Sequence, residues 1–162
     1  MKENTKKTVL VYAAALLLPL LVGIVSGLLT RGNMNVYKEV KTPPLSPPSI
    51  LFPIVWTVLY LLMGVSSALV FLNLSKDGKN GRQGLIFYGV SLFFNFFWSI
   101  FFFNVRAFAL SFVWLLALLA FILLTVVKYR KVLPLAAYLQ IPYALWVAFA
   151  GYLNLGIVIL ND

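Results

Sequence analysis

The 162-residue sequence contains no cysteine and no histidine, and only four acidic residues. The first absence excludes disulfides and thiolate nucleophiles, and the second excludes imidazole bases and the usual ligands of zinc and haem, so no metal site is expected. The acids Glu3, Glu39, Asp77 and Asp162 all fall in loops or tails. Ion-coupled pumps and proton relays usually carry ionisable groups inside their spans, so a proton-driven exporter lacks its coupling residue here. Gly-rich phosphate loops, nucleophile elbows and metal-ligand clusters are missing as well. ATP-driven transport and hydrolase chemistry therefore have no visible apparatus.

What the chain has in excess is apolar surface: 62% of its residues are hydrophobic and 10% are charged. One small soluble core cannot hide that much. Five uncharged windows, 9–29, 42–75, 83–105, 107–127 and 132–161, are each long enough to cross a hydrocarbon layer of roughly 30 Å as a helix. The expected fold is an all-α integral membrane protein, a bundle of five transmembrane helices in one domain over residues 1–162. Its spans are expected near 9–29, 50–73, 84–105, 107–127 and 133–160, with a loop over 30–49. The second and fifth windows exceed the roughly 20 residues a span needs, so each tilts, kinks or gives up residues to an interfacial loop.

Basic residues set the orientation. Lys2, Lys6 and Lys7 in the amino-terminal tail, Lys76, Lys79 and Arg82 in the second loop and Lys128, Arg130 and Lys131 in the fourth place nine on one side. Only Arg31, Lys38, Lys41 and Arg106 lie on the other. The amino terminus is expected inside, the carboxyl terminus and the proline-rich loop outside. The net charge of +9 then reflects topology and contact with anionic lipid, and the scatter of lysines over separate loops argues against a nucleic-acid partner. The KKT before the first apolar run has the look of a signal peptide. Its 21 uncharged residues are long for a signal core and no small-x-small cleavage site follows, which favours a retained helix and a bacterial plasma membrane.

The remaining information is aromatic: 14 Phe, 8 Tyr and 4 Trp. Phe52, Trp56 and Tyr60 recur at i, i+4, i+8 and share one helix face. Asn95 and Trp98 are neighbours at i, i+3, and an amide at mid-span needs a polar partner, either a ligand or another helix. Trp146, Ala150 and Asn154 form a third stripe with a small residue at its middle. Three such stripes can enclose a flat apolar molecule. Pro53 and Pro142 stand beside Trp56 and Trp146 and loosen backbone hydrogen bonding there, which favours a cavity wall. Trp114, Tyr12, Tyr88 and Tyr129 read instead as helix packing or headgroup-belt residues.

The order PPLSPPS, PIVWTVLYLLMG, NFFWSIFFF followed by Arg106, then PYALWVAFAGYLN resembles the TspO/MBR family over nearly the whole chain. The resemblance implies a compact five-helix bundle, usually a homodimer, with a ligand cavity opening toward the long first loop. It implies binding of porphyrins, notably protoporphyrin IX, and of isoquinoline carboxamides and benzodiazepines, with no cofactor required. A tetrapyrrole bound here would lack the usual histidine or cysteine ligand. Carried over residue by residue, the cavity set is Tyr37, Pro47, Trp56, Tyr60, Asn95, Trp98, Trp146, Ala150 and Leu153. Some bacterial members are similar enough to imply light-dependent breakdown of protoporphyrin, with Trp56 and Trp146 as the redox-active pair. Indole is the most electron-rich side chain in a protein without cysteine or histidine, so it is oxidised first by an excited porphyrin or singlet oxygen.

The proline ribbon is expected to act as a stiff lid, because prolines fix backbone angles and lower the entropy cost of ordering it. Departures from the family pattern are Leu45 and Ile50 in the lid, where many relatives carry tryptophan, and Trp114, where many carry an acid. The final LGIVILND lacks the tyrosine and basic residue of the mammalian cholesterol segment, so no sterol site is expected there. Gly23 and Gly27 form a GxxxG pair that serves either dimerisation or packing within one bundle; the family's dimer surface is the third helix, here with Gly89 and Ser91. Three functions follow: a receptor or carrier for porphyrin-like ligands, a light-dependent porphyrin-degrading enzyme, and a structural protein or small multidrug exporter.

Overall fold

The computed structural model describes residues 2–161; Met1, Asp162 and the Lys2 side chain lie outside that description. The described residues form six α-helices: α1 (Lys2–Thr30), a short α2 (Val36–Glu39) within the first loop, α3 (Leu51–Leu72), α4 (Gly78–Ser99), α5 (Phe108–Val132) and α6 (Pro134–Asn161). A 3-10 turn at Arg31–Asn33 follows α1, and a π turn at Ile100–Asn104 extends α4. Five of these, all but α2, are long and apolar enough to cross a membrane. The protein is an integral membrane protein built as an all-α bundle.

Local chemistry explains the boundaries. Asp77 caps α4, its carboxylate accepting from the Asn80 amide at 3.0 Å. Between α5 and α6 the connection shrinks to Leu133, which is extended (φ −154°, ψ 113°) because Pro134 follows it and opens the next helix. Lys79 and Arg82 lie in the first turns of α4 and Lys128, Arg130 and Lys131 in the last turns of α5, so these residues are helical rather than in loops. Long basic side chains reach water from a helix that continues past the hydrocarbon. Pro53 also departs from expectation. It sits in the first turn of α3, where a missing amide leaves no intrahelical bond unmade, whereas Pro142 lies inside α6.

The spans form a ring in the order α1, α3, α6, α5, α4, with the broadest packing between α5 and its neighbours α4 and α6. Glycines allow close approach at the basic end: a Cβ on Gly84 would lie 2.7 Å from the Tyr129 ring, and one on Gly64 would lie 2.8 Å from the Leu16 Cα of α1. Tyr88 and Tyr129 are buried in this packing, away from the headgroup belt. Gly23 is likewise used within the bundle, since a Cβ there would collide with the Tyr60 ring. Gly89 faces open space beside exposed Ile86 and Phe93, while Ser91 is buried and donates to the Tyr88 carbonyl at 2.7 Å.

Candidate functional site: an aromatic cavity under the lid

Toward the lid end the ring opens around a cavity of about 460 Å³, within the size range of small-molecule pockets. Trp56, Tyr60, Asn95 and Trp98 line it from α3 and α4, Trp146, Ala150 and Leu153 from α6, and Tyr37 from the lid. Thus every residue of the predicted set except Pro47 meets in one space. The exception has a local cause. Ser46 donates to the Pro43 carbonyl at 2.6 Å and Leu45 adopts φ 66°, which folds the ribbon back so that Pro43 packs on α6 while Ser49 and Ile50 pass over the cavity. Pro47 is half-buried in the turn and does not line the cavity.

The floor is polar and internally satisfied. Tyr60 donates its hydroxyl to Asn95 Oδ1 at 3.1 Å, and Asn95 Nδ2 donates to the Tyr143 hydroxyl at 3.0 Å. Asn95 therefore bridges α3 and α6 from α4, in keeping with the rule that a buried amide costs free energy unless its partners are present. Higher up, Trp98 Nε1 donates to Asn154 Oδ1 at 3.2 Å, and Asn154 Nδ2 donates to the Phe108 carbonyl at 2.8 Å. Trp98 is thereby fixed against α6. The Trp146 indole N–H is buried without a partner.

Ring contacts bind lid and walls together. Tyr37 meets Phe52 edge-on at 5.3 Å, and Phe52 meets Trp146 edge-on at 5.8 Å. Trp56 stacks on Tyr60 at 5.5 Å. Burial raises the Tyr37 phenol above its ordinary pKa, with Ser46 offsetting part of the rise, so this lid residue is neutral at physiological pH. Trp114 packs among phenylalanines outside the cavity, its Nε1 donating to the Phe94 carbonyl at 2.8 Å.

Sequence stripes missed two contributors. The π turn brings Phe102 and Phe103 to the cavity, and nothing in the run of phenylalanines marks its altered period. From α1, Gly23, Ser26, Gly27 and Thr30 line the cavity at i, i+3, i+4, i+7. That small and polar stripe in a leucine-rich helix was a readable signal.

Residues 15–160 match the TspO/MBR family. The chain belongs to this family. The tryptophan-rich protein TspO of Chlorobaculum tepidum is 33% identical over 156 residues, covering 96% of this chain and 98% of that protein. The protein CrtK of Rhodobacter capsulatus is 34% identical over 125 residues, 77% of this chain and 78% of its own. The translocator protein of Bos taurus is 34% identical over 139 residues, 85% and 82% of the two chains. The TspO/MBR match takes in α1 from residue 15, all of α3, α4 and α5, and α6 to residue 160, with the cavity residues inside it.

Proposed function

We propose that this TspO/MBR protein is a membrane receptor or carrier that holds a porphyrin, or another flat and largely apolar molecule, in the cavity beneath the proline lid. The observation that carries this reading is the meeting of Trp56, Trp98 and Trp146 from three helices around one space floored by the Tyr60–Asn95–Tyr143 hydrogen bonds. Flat rings bind flat rings with offset or edge contacts, and a floor whose polar groups already pair with one another can lie under an apolar ligand without an unmet hydrogen bond. Lys38 and Asn35 stand exposed at the rim, where they suit a ligand carrying carboxylates, as protoporphyrin IX does. Tetrapyrrole traffic or stress sensing is the role such binding would serve, and the family resemblance adds isoquinoline carboxamides and benzodiazepines as synthetic ligands. Assembly as a homodimer through the exposed α4 face at Ile86, Gly89 and Phe93 belongs to the same reading.

The test is titration of the purified protein with protoporphyrin IX in the dark, read by tryptophan fluorescence. Saturable quenching that weakens when Trp56 and Trp146 become Phe supports the site. Quenching that is non-saturable, or identical in that variant, contradicts it.

A second reading is supported by Trp56 and Trp146 lining the same cavity from different helices. An indole that gives one electron to a photo-excited porphyrin becomes a radical cation and leaves a porphyrin radical anion; dissolved oxygen adds to that anion through a new C–O bond, and return of the electron to the indole radical cation restores the tryptophan and leaves an oxygenated macrocycle. Illumination of the complex then yields a new absorbing product with the wild type and a much slower loss with the Trp56→Phe, Trp146→Phe variant. Equal rates for the two proteins would remove the indoles from the chemistry.

A further inference from the structure

The lid is bonded to α6 and to the connection between α4 and α5, and it meets α3 through the Tyr37–Phe52 ring contact. Asn161 Nδ2 donates to the Lys41 carbonyl and Asn161 Oδ1 accepts from the Lys41 amide, both at 2.9 Å. Tyr152 donates its hydroxyl to the Pro44 carbonyl at 2.8 Å, and Pro43 is seated on Gly156, where a Cβ would approach its ring to 2.5 Å. Glu39 pairs with Arg106 at 2.9 Å. Among the described residues, no hydrogen bond or ion pair joins segment 36–50 to α1. Lifting the lid means breaking the α6 contacts together.

The opposite side of the cavity is different. Helices α1 and α3 touch through Gly64 against Ala15 and Leu16 and through Gly23 beneath Tyr60. One turn further toward the lid, at Gly27, nothing lies within 4 Å of where a Cβ would stand. Gly27, Met34, Ile50 and Pro53 all border the cavity and are exposed, Ile50 by 69%. Around this gap stand Ile24 and Leu28 on α1, each more than half exposed at 56% and 59%, with Ile50 and Pro53 on the α3 side. An opening with an aliphatic rim, on helices that cross the membrane, faces hydrocarbon.

Resting on the binding function proposed above, we infer that the cavity loads sideways from the bilayer, through the gap between α1 and α3 at Gly27, while the lid stays fastened to α6. The ligand class is an apolar molecule dissolved in the leaflet on the lid side. The bilayer concentrates such molecules, and the path from acyl chains to the aromatic walls crosses no charged residue of a span. Gly27 supplies the width, because its missing side chain is the plug.

The test uses protein in phosphatidylcholine vesicles and protoporphyrin IX carried by protein-free phosphatidylcholine vesicles, mixed rapidly and followed by tryptophan quenching. A Cβ on Gly27 meets nothing within 4 Å and leucine is the better helix former, so Gly27→Leu is expected to fold with its side chain in the gap. Ile50→Trp on the facing rim is a second plug. Because Gly27 and Ile50 also border the cavity, the readout is the rate and not the affinity: a plugged entrance slows association by about tenfold. A lid locked to α6 by a short bismaleimide between Lys41→Cys and Asn161→Cys, the only thiols in the chain, loads at the wild-type rate. Loss of loading in the locked protein with normal rates in both plugged variants overturns lateral entry. Absence of saturable equilibrium binding by the wild type removes the site, and the entrance with it.

Discussion

At the basic end of the bundle the helices meet through glycine and tyrosine; at the lid end they stand apart around a void. Gly64 and Gly84 are each filled to van der Waals contact by a neighbouring helix, and Met63, Leu118, Ile122 and Tyr129 are fully buried around them. Gly27 has nothing beside it, and the walls near it are held by directional contacts such as Tyr60–Asn95 and Trp98–Asn154. The lid end also holds both positive-φ non-glycine residues found among the described residues, Leu45 and Arg106, and the π turn. Close packing gives the basic end its rigidity, and that rigidity allows the other end to keep open a space that packing would otherwise close.

The largest expected effect separates two glycines in the same pair of helices. Gly64→Leu must push α1 off backbone atoms and is expected to cost about 3 kcal/mol in detergent unfolding, whereas Gly27→Leu costs nothing measurable. Equal losses would erase the contrast between the two ends. Next comes the floor. Asn95→Leu keeps the volume but strands the Tyr60 and Tyr143 hydroxyls, an expected loss of about 2 kcal/mol, with ligand affinity falling as well. Stability equal to wild type would show that the floor is not the anchor of the cavity.

Smaller effects belong to the lid. Asn161→Ala removes both bonds to Lys41, and hydrogen exchange is expected to quicken in segment 41–46 by roughly 1 kcal/mol of local opening while α5 stays protected. Glu39→Gln breaks a half-exposed ion pair and should change stability by less than about 0.5 kcal/mol, less still in high salt. At the other end, hydrogen bonds from the Asn80 side chain and amide hold the Asp77 carboxyl below its ordinary pKa. Its folded pKa is thus lower than its unfolded one, so the α4 cap is at full strength above the ordinary carboxylate range and is lost as pH falls through the lowered value. Exchange in the first turn of α4 should quicken over that acid range and stay flat in an Asp77→Asn variant.

Legibility in the sequence followed the same division. The five spans were readable because long uncharged runs admit no other use, and the cavity walls were readable because Trp56, Tyr60, Trp98 and Trp146 sit at helical spacing within them. Pro47 misled because a ribbon of prolines does not declare which ring points inward; the Ser46–Pro43 bond and the φ of Leu45 decide that, and they make Pro43 the buried member. Tyr88 and Tyr129 take the first of the two roles read for them, helix packing, because their rings are buried; nearness to a span end does not by itself choose between packing and the headgroup belt. Links between distant segments, such as Ser66 donating to the Ala136 carbonyl at 2.7 Å, leave no local pattern at all.

The central claim is that the space beneath the lid is the binding site, and two alanines on α6 test it most directly. Ala150 is buried and lines the cavity, while Ala148, two residues earlier, is exposed on the helix surface. Protoporphyrin IX affinity measured in the dark is expected to collapse in Ala150→Phe, which fills the void, and to stay at the wild-type value in Ala148→Phe. Wild-type affinity in Ala150→Phe, with the variant folded, would contradict the account and place the ligand elsewhere.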